Sequence, residues 1–105
     1  MPDHKQLYMQ GLTGLARGNL DEALASFQQA IEVKPDFLEG HLGVAQAFER
    51  KRMLDEAVTA AKKAIQLSPD DPLPHTTLSR LYQQKGMIPE AEEEMAVSRR
   101  LQAGL

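Results

Sequence analysis

The chain reads as an all-α protein, an α-solenoid of six helices arranged as three helix-turn-helix repeats, and three observations predict this. Ala23, Phe27, Ala30 and Pro35 recur 34 residues later as Ala57, Ala61, Ala64 and Pro69, and fade at 68 into Ala91, Met95, Ser98 and Ala103. Such a period, with small residues at fixed places and proline near the unit's end, marks a helix pair that buries its apolar face on its neighbours. Within the units, Leu20, Leu24 and Ile31, then Leu54, Val58 and Ile65, recur at helical spacing. Finally, 42% of the 105 residues are hydrophobic but only 5% aromatic, which suits closely packed helices rather than a β core.

The units span 4–37, 38–71 and 72–105 and fill one domain, 1–105, without a linker. Helix 3–17 ends at Gly18, a residue suited to the left-handed turn that closes a helix. Helix 20–33 follows Asn19, a good cap, places Asp21 and Glu22 where the helix dipole favours negative charge, and stops before Pro35. Helix 37–51 ends among Arg50, Lys51 and Arg52, with Arg52 in the place Gly18 takes one unit earlier. Helix 54–67 opens on Asp55 and Glu56 and stops before Pro69. Helices 71–85 and 88–102 carry Pro72, Pro74 and Pro89 in their first turns, where proline deletes only an N–H that has no helical partner.

A net charge of −3 leaves no positive excess for phosphates, so nucleic acid is excluded as main partner; the Arg50–Arg52 cluster is a favourable helix end. Without cysteine there is no disulfide and no thiolate zinc site. The start, MPDHKQ, lacks a basic leader followed by an apolar stretch, and no apolar run approaches the ~18 residues of a membrane span. These features predict a cytoplasmic chain with no membrane insertion, although an exported mature form whose signal has been removed would look the same. No phosphate-binding glycine loop, nucleophile elbow or paired-carboxylate motif appears, so the chain reads as a non-enzyme with no cofactor. His41 and His75 share one unit position, but no cysteine or convergent carboxylate completes a metal set, so both read as packing or interfacial residues. Glu90, Glu92, Glu93 and Glu94 read as a solvated helix start.

The pattern resembles the tetratricopeptide repeat family. Leu7, Gly11, Ala23, Phe27, Ala30 and Pro35 match in unit 1; Val44, Ala45, Phe48, Ala57, Ala64 and Pro69 in unit 2; Leu78, Ser79, Tyr82, Ala91, Met95 and Ser98 in unit 3. The resemblance covers the whole chain and implies a right-handed solenoid whose first helices line a concave, segment-binding face. Carried over by position, that face holds Lys5, Tyr8, Met9, Leu12, Leu15 and Ala16; Glu39, Leu42, Gly43, Gln46, Glu49 and Arg50; and Leu73, Thr76, Thr77, Arg80, Gln83 and Gln84. Tyr8, Met9, Leu12, Leu42 and Leu73 make an apolar stripe, while Gln46, Arg50, Thr76, Thr77 and Arg80 supply polar groups. The expected partner is a protein or peptide segment with one or two apolar anchors and an acidic group near Arg80.

Family members that clamp the acidic tails of chaperones carry lysine, arginine and asparagine where this chain has Tyr8, Leu12, Gly43, Leu73 and Thr77. A two-carboxylate clamp needs cations and amide donors there, so the co-chaperone role is not expected. Two departures stand out. Gln10 and Gly14 replace leucine and tyrosine in the first helix, which makes it the expected least stable element and leaves a gap at Gly14 that a partner or second subunit could fill. Glu92 and Arg99 replace the apolar residues of earlier units, as expected of a solvent-facing cap that ends the array. The leading functional reading is an adaptor or scaffold that holds a partner segment in its groove; the alternative is a self-association module forming a homo-oligomer.

Overall fold

Each unit is a pair of helices joined by one left-handed residue. The computed structural model describes residues 1–104, and in them α1 (His4–Arg17), α2 (Leu20–Val33), α3 (Leu38–Arg50), α4 (Leu54–Leu67), α5 (Pro72–Gln84) and α6 (Ile88–Gln102) follow in order. The second helix of each unit has the predicted bounds. Each first helix starts one residue later than predicted, because Asp3, Phe37 and Asp71 are caps rather than helical residues, and α3 and α5 also end one residue earlier, with Lys51 and Lys85 as their C-terminal caps. The Asp3 carboxylate accepts a hydrogen bond from the Gln6 N–H at 2.8 Å while Gln6 accepts one from the Asp3 N–H at 2.9 Å. Asp71 accepts from the Leu73 N–H at 2.9 Å, so two donors left over at helix starts are satisfied by local carboxylates. Asn19, expected to do the same, occupies the cap position but makes no side-chain cap bond.

Gly18 at φ 76°, Arg52 at φ 65° and Gly86 at φ 77° turn the chain between the helices of each unit. Glycine bears this conformation freely, whereas a side chain there costs about 1 to 2 kcal/mol. Unit 2 carries that cost at Arg52.

The interior is organised around Phe27, which is fully buried. A methyl group at Gly11 would lie 2.4 Å from its ring and one at Gly43 2.6 Å from it, so the ring occupies the space two absent side chains leave. One unit later the equivalent residue is Ala61, fully buried, and its counterparts to the two glycines are Ala45 and Thr77. Gly14 is closed on one side and open on the other: a methyl there would come within 3.0 Å of the Ala23 Cβ, so α1 and α2 already touch, yet Gly14 also lines a hollow at the α1–α2 edge. Leu15, placed by position on the concave face, is 5% exposed and belongs to the core.

The histidines pack as expected. His41 Nε2 donates to the Pro35 carbonyl at 2.8 Å, and His75 Nδ1 is 2.7 Å from Glu94 Oε2. Glu94 therefore leaves the solvated cluster to which the sequence assigned it. Ser79 donates to the Ala91 carbonyl at 2.7 Å inside unit 3, where Ser98 is also fully buried. Lys51 pairs with Asp21 and Lys85 with Asp55, a link that itself repeats every 34 residues across both seams. Glu92 and Arg99 are exposed on α6.

Candidate protein-binding groove

The groove is built from the regular presentation of α1, α3 and α5. Tyr8, Glu39, Leu42, Gln46, Leu73, Thr77 and Arg80 surround a hollow of about 300 Å³ floored by Gly43. The floor is open because Phe27 lies under it, leaving no room for a side chain at Gly43. Tyr8 stands over the core, its ring 5.7 Å from that of Phe27 and 5.5 Å edge-on from that of Phe37. Burial, and then the charge of Glu39, push its phenol above the ordinary tyrosine value.

Towards the other end of α3 lies a second hollow of about 500 Å³, lined by Gln46, Glu49, Arg50, Arg52, Arg80 and Gln84. Gln46 and Arg80 border both hollows, so together they form one groove along α3. Glu49 accepts two bonds from the Arg80 guanidinium, at 2.9 and 2.8 Å, and another from Gln84. The Arg80 hydrogen bond holds the Glu49 carboxyl below its ordinary range against the opposing effect of burial, and raises Arg80 in turn. Arg50 donates to the Leu15 carbonyl at 2.7 Å, and Arg52 reaches Gln84 at 3.3 Å. Among the described residues neither has a carboxylate partner.

Most of the residues singled out in the sequence come together here: Tyr8, Leu42, Gln46, Leu73, Thr77 and Arg80 share the first hollow, and Arg50 joins the second. Three do not. Met9 is 59% exposed but borders a separate hollow at the α1–α2 edge with Gln10, Thr13, Gly14 and Arg17. Leu12 is half-buried against the core. The Thr76 hydroxyl lies 2.7 Å from that of Ser98, committing it to α6. Arg80, beside which a partner's acidic group was expected, already has its planar fork on Glu49. Glu49 and Gln84 fall on the predicted face, but their role depends on contacts across a seam. The only sequence signal is an acid and a base at facing positions of adjacent units.

The family model described as tetratricopeptide repeat matches residues 8–72. No curated protein sequence matches the chain. Among solved structures, a MamA crystal structure superposes with a TM-score of 0.92 at 17% identity over 97% of this chain and 60% of its own. This chain thus spans less than two thirds of MamA's length. The Yersinia enterocolitica type III secretion translocator chaperone SycD, as an alternative dimer, gives 0.91 at 20% identity, covering 95% of this chain and 76% of that one. The first repeat domain of Spaghetti (RPAP3), bound to the HSP90 peptide SRMEEVD, gives 0.90 at 16% identity, covering 98% and 82%. At these identities the likeness is one of fold: an all-α helical-repeat solenoid.

Proposed function

We propose, from the premise that this chain belongs to the tetratricopeptide repeat family, that it is a protein–protein interaction module holding a partner's segment in the groove along α3. The observation that carries this reading is the open, mixed hollow whose apolar wall is Tyr8, Leu42 and Leu73, in which Leu73 is 54% exposed. Apolar side chains around a concavity between three rigid helices can anchor a segment whose backbone lies along α3. The module acts as an adaptor rather than an enzyme.

The peptide-bound relative suggests a mode of binding but not a ligand. Acidic-tail clamping needs an amide donor where Gly43 lies, and a side chain there would strike Phe27. The test is affinity capture with wild type and with Leu42→Asp/Leu73→Asp, checked for helicity. Partners retained by wild type and lost by the variant are expected; equal recovery of every partner would sink the groove reading. A second reading, self-association through α1, draws on Met9, 59% exposed beside the hollow of about 380 Å³ at the α1–α2 edge. Light scattering on wild type and Met9→Asp decides it: a dimer in the first and a monomer in the second would establish this interface.

A further inference from the structure

We propose that the groove reads charge order: it accepts an extended segment carrying a basic residue, an apolar anchor and an acidic residue in sequence. This rests on the groove reading above and gives the partner's chemistry. The basic residue lies at Glu39, the anchor in the hollow of Tyr8, Leu42 and Leu73, and the acidic residue at Arg50 and Arg52.

The groove is electrically divided. At its apolar end Glu39 is exposed, has no hydrogen bond or ion pair among the described residues, and is near enough to raise the Tyr8 phenol. A carboxylate in that position favours a cation and repels an acid. At the other end three guanidiniums face one carboxylate. Glu49 is paired with Arg80 and also feels the charge of Arg52, so two positive charges remain in excess in a chain whose net charge is −3. Arg50 is held in place by the Leu15 carbonyl, so part of its ordering cost is met before any ligand arrives. The acid is therefore read by Arg50 and Arg52, not by Arg80.

Spacing follows from geometry. Glu39 and Arg50 both lie on α3, eleven residues apart, a rise of roughly 16 Å at about 1.5 Å per residue. An extended segment advances about 3.3 Å per residue, so its opposite charges lie roughly five residues apart with the apolar anchor between them.

The test is selection of a random nine-residue peptide library on the wild-type protein, repeated on Glu39→Lys/Arg52→Glu, with circular dichroism confirming that both are folded. Wild type is expected to enrich peptides with Lys or Arg and Asp or Glu about five residues apart around Leu, Ile or Phe. The charge-swapped protein, whose arginine end is left with two cations against two carboxylates, should bind them at least about tenfold more weakly, a difference of ~1.4 kcal/mol, and enrich peptides that carry an acid rather than a base at the position-39 end. Enriched peptides that lose binding to Leu42→Asp but carry no charge order would overturn this inference and leave the groove reading standing. Peptides bound equally by Leu42→Asp, or no enrichment, would overturn both.

Discussion

The seam between units 1 and 2 and the seam between units 2 and 3 join the same kind of helix pair by different means. At the first, one aromatic ring fills a slot made by two glycines, Gly11 before it and Gly43 beyond it. At the second, Ala61 takes the ring's place, and the neighbouring positions grow to Ala45 and Thr77. Large with small-small has become small with small-medium. Unit 3 then replaces apolar filling by hydrogen bonds: Ser79 to the Ala91 carbonyl, Thr76 to Ser98 and His75 to Glu94. The 34-residue frame therefore requires a filled interior of given volume, not particular residues, as expected where interiors are packed to crystal-like density.

The largest test of that contrast is Phe27→Ala, expected to cost about 3 to 5 kcal/mol in denaturant unfolding. Ala61 shows that alanine is acceptable at this unit position only when its neighbours are larger. Gly43→Thr alone should cost about 1 to 3 kcal/mol by overpacking against the ring. In Phe27→Ala/Gly43→Thr the two costs should be strongly non-additive, because the pair reproduces the Ala61–Thr77 contact position of the second seam; simple addition would dismiss the compensation. Glu94→Ala should destabilise by roughly 1 to 3 kcal/mol, since it strips a part-buried His75 of its partner.

A pH test concerns the groove. The folded-state pKa of Glu49 lies below its ordinary 4.5, so its stabilisation is complete above the unfolded value and disappears as pH falls through the folded one. Glu49→Gln should flatten that acid-side loss in thermal melts below about pH 4.5, and an unchanged slope would deny the Arg80 pair any energetic role. The smallest effect is Arg52→Gly, expected to stabilise by about 0.5 to 1 kcal/mol, relief of the left-handed backbone being offset by the greater freedom of unfolded glycine. It should act equally in chains with either seam altered.

Much of this was legible beforehand, for identifiable reasons. Helix bounds followed from prolines, caps and apolar spacing, all read within one turn of chain. The first helices missed by one residue at their starts, and α3 and α5 by one at their ends, because Asp3, Phe37 and Asp71, and then Lys51 and Lys85, flank the helices as caps while belonging to the same local pattern. Groove residues were legible where position alone decides direction, as for Tyr8, Leu42 and Leu73. They depart from that face where a neighbour from another helix claimed the side chain, Thr76 by Ser98 and Leu12 by the core, while Arg80 lines the groove as read but with an illegible pairing to Glu49. The space at Gly14 was legible on its open side, but one helix in isolation cannot show that Ala23 of the next closes the other.

By itself the sequence determined the period, the six helices, the small residues that let them approach and the family, because each is expressed in local spacing or in repetition. Tertiary structure alone decided which small residues are filled slots and which polar groups remain for a partner. Gly43 serves as a floor only because Phe27 comes up beneath it from α2, and Arg80 is quenched only because Glu49 faces it across a seam. Packing and hydrogen bonding take effect at a few ångströms, and the residues they join lie 16 and 31 positions apart in the chain.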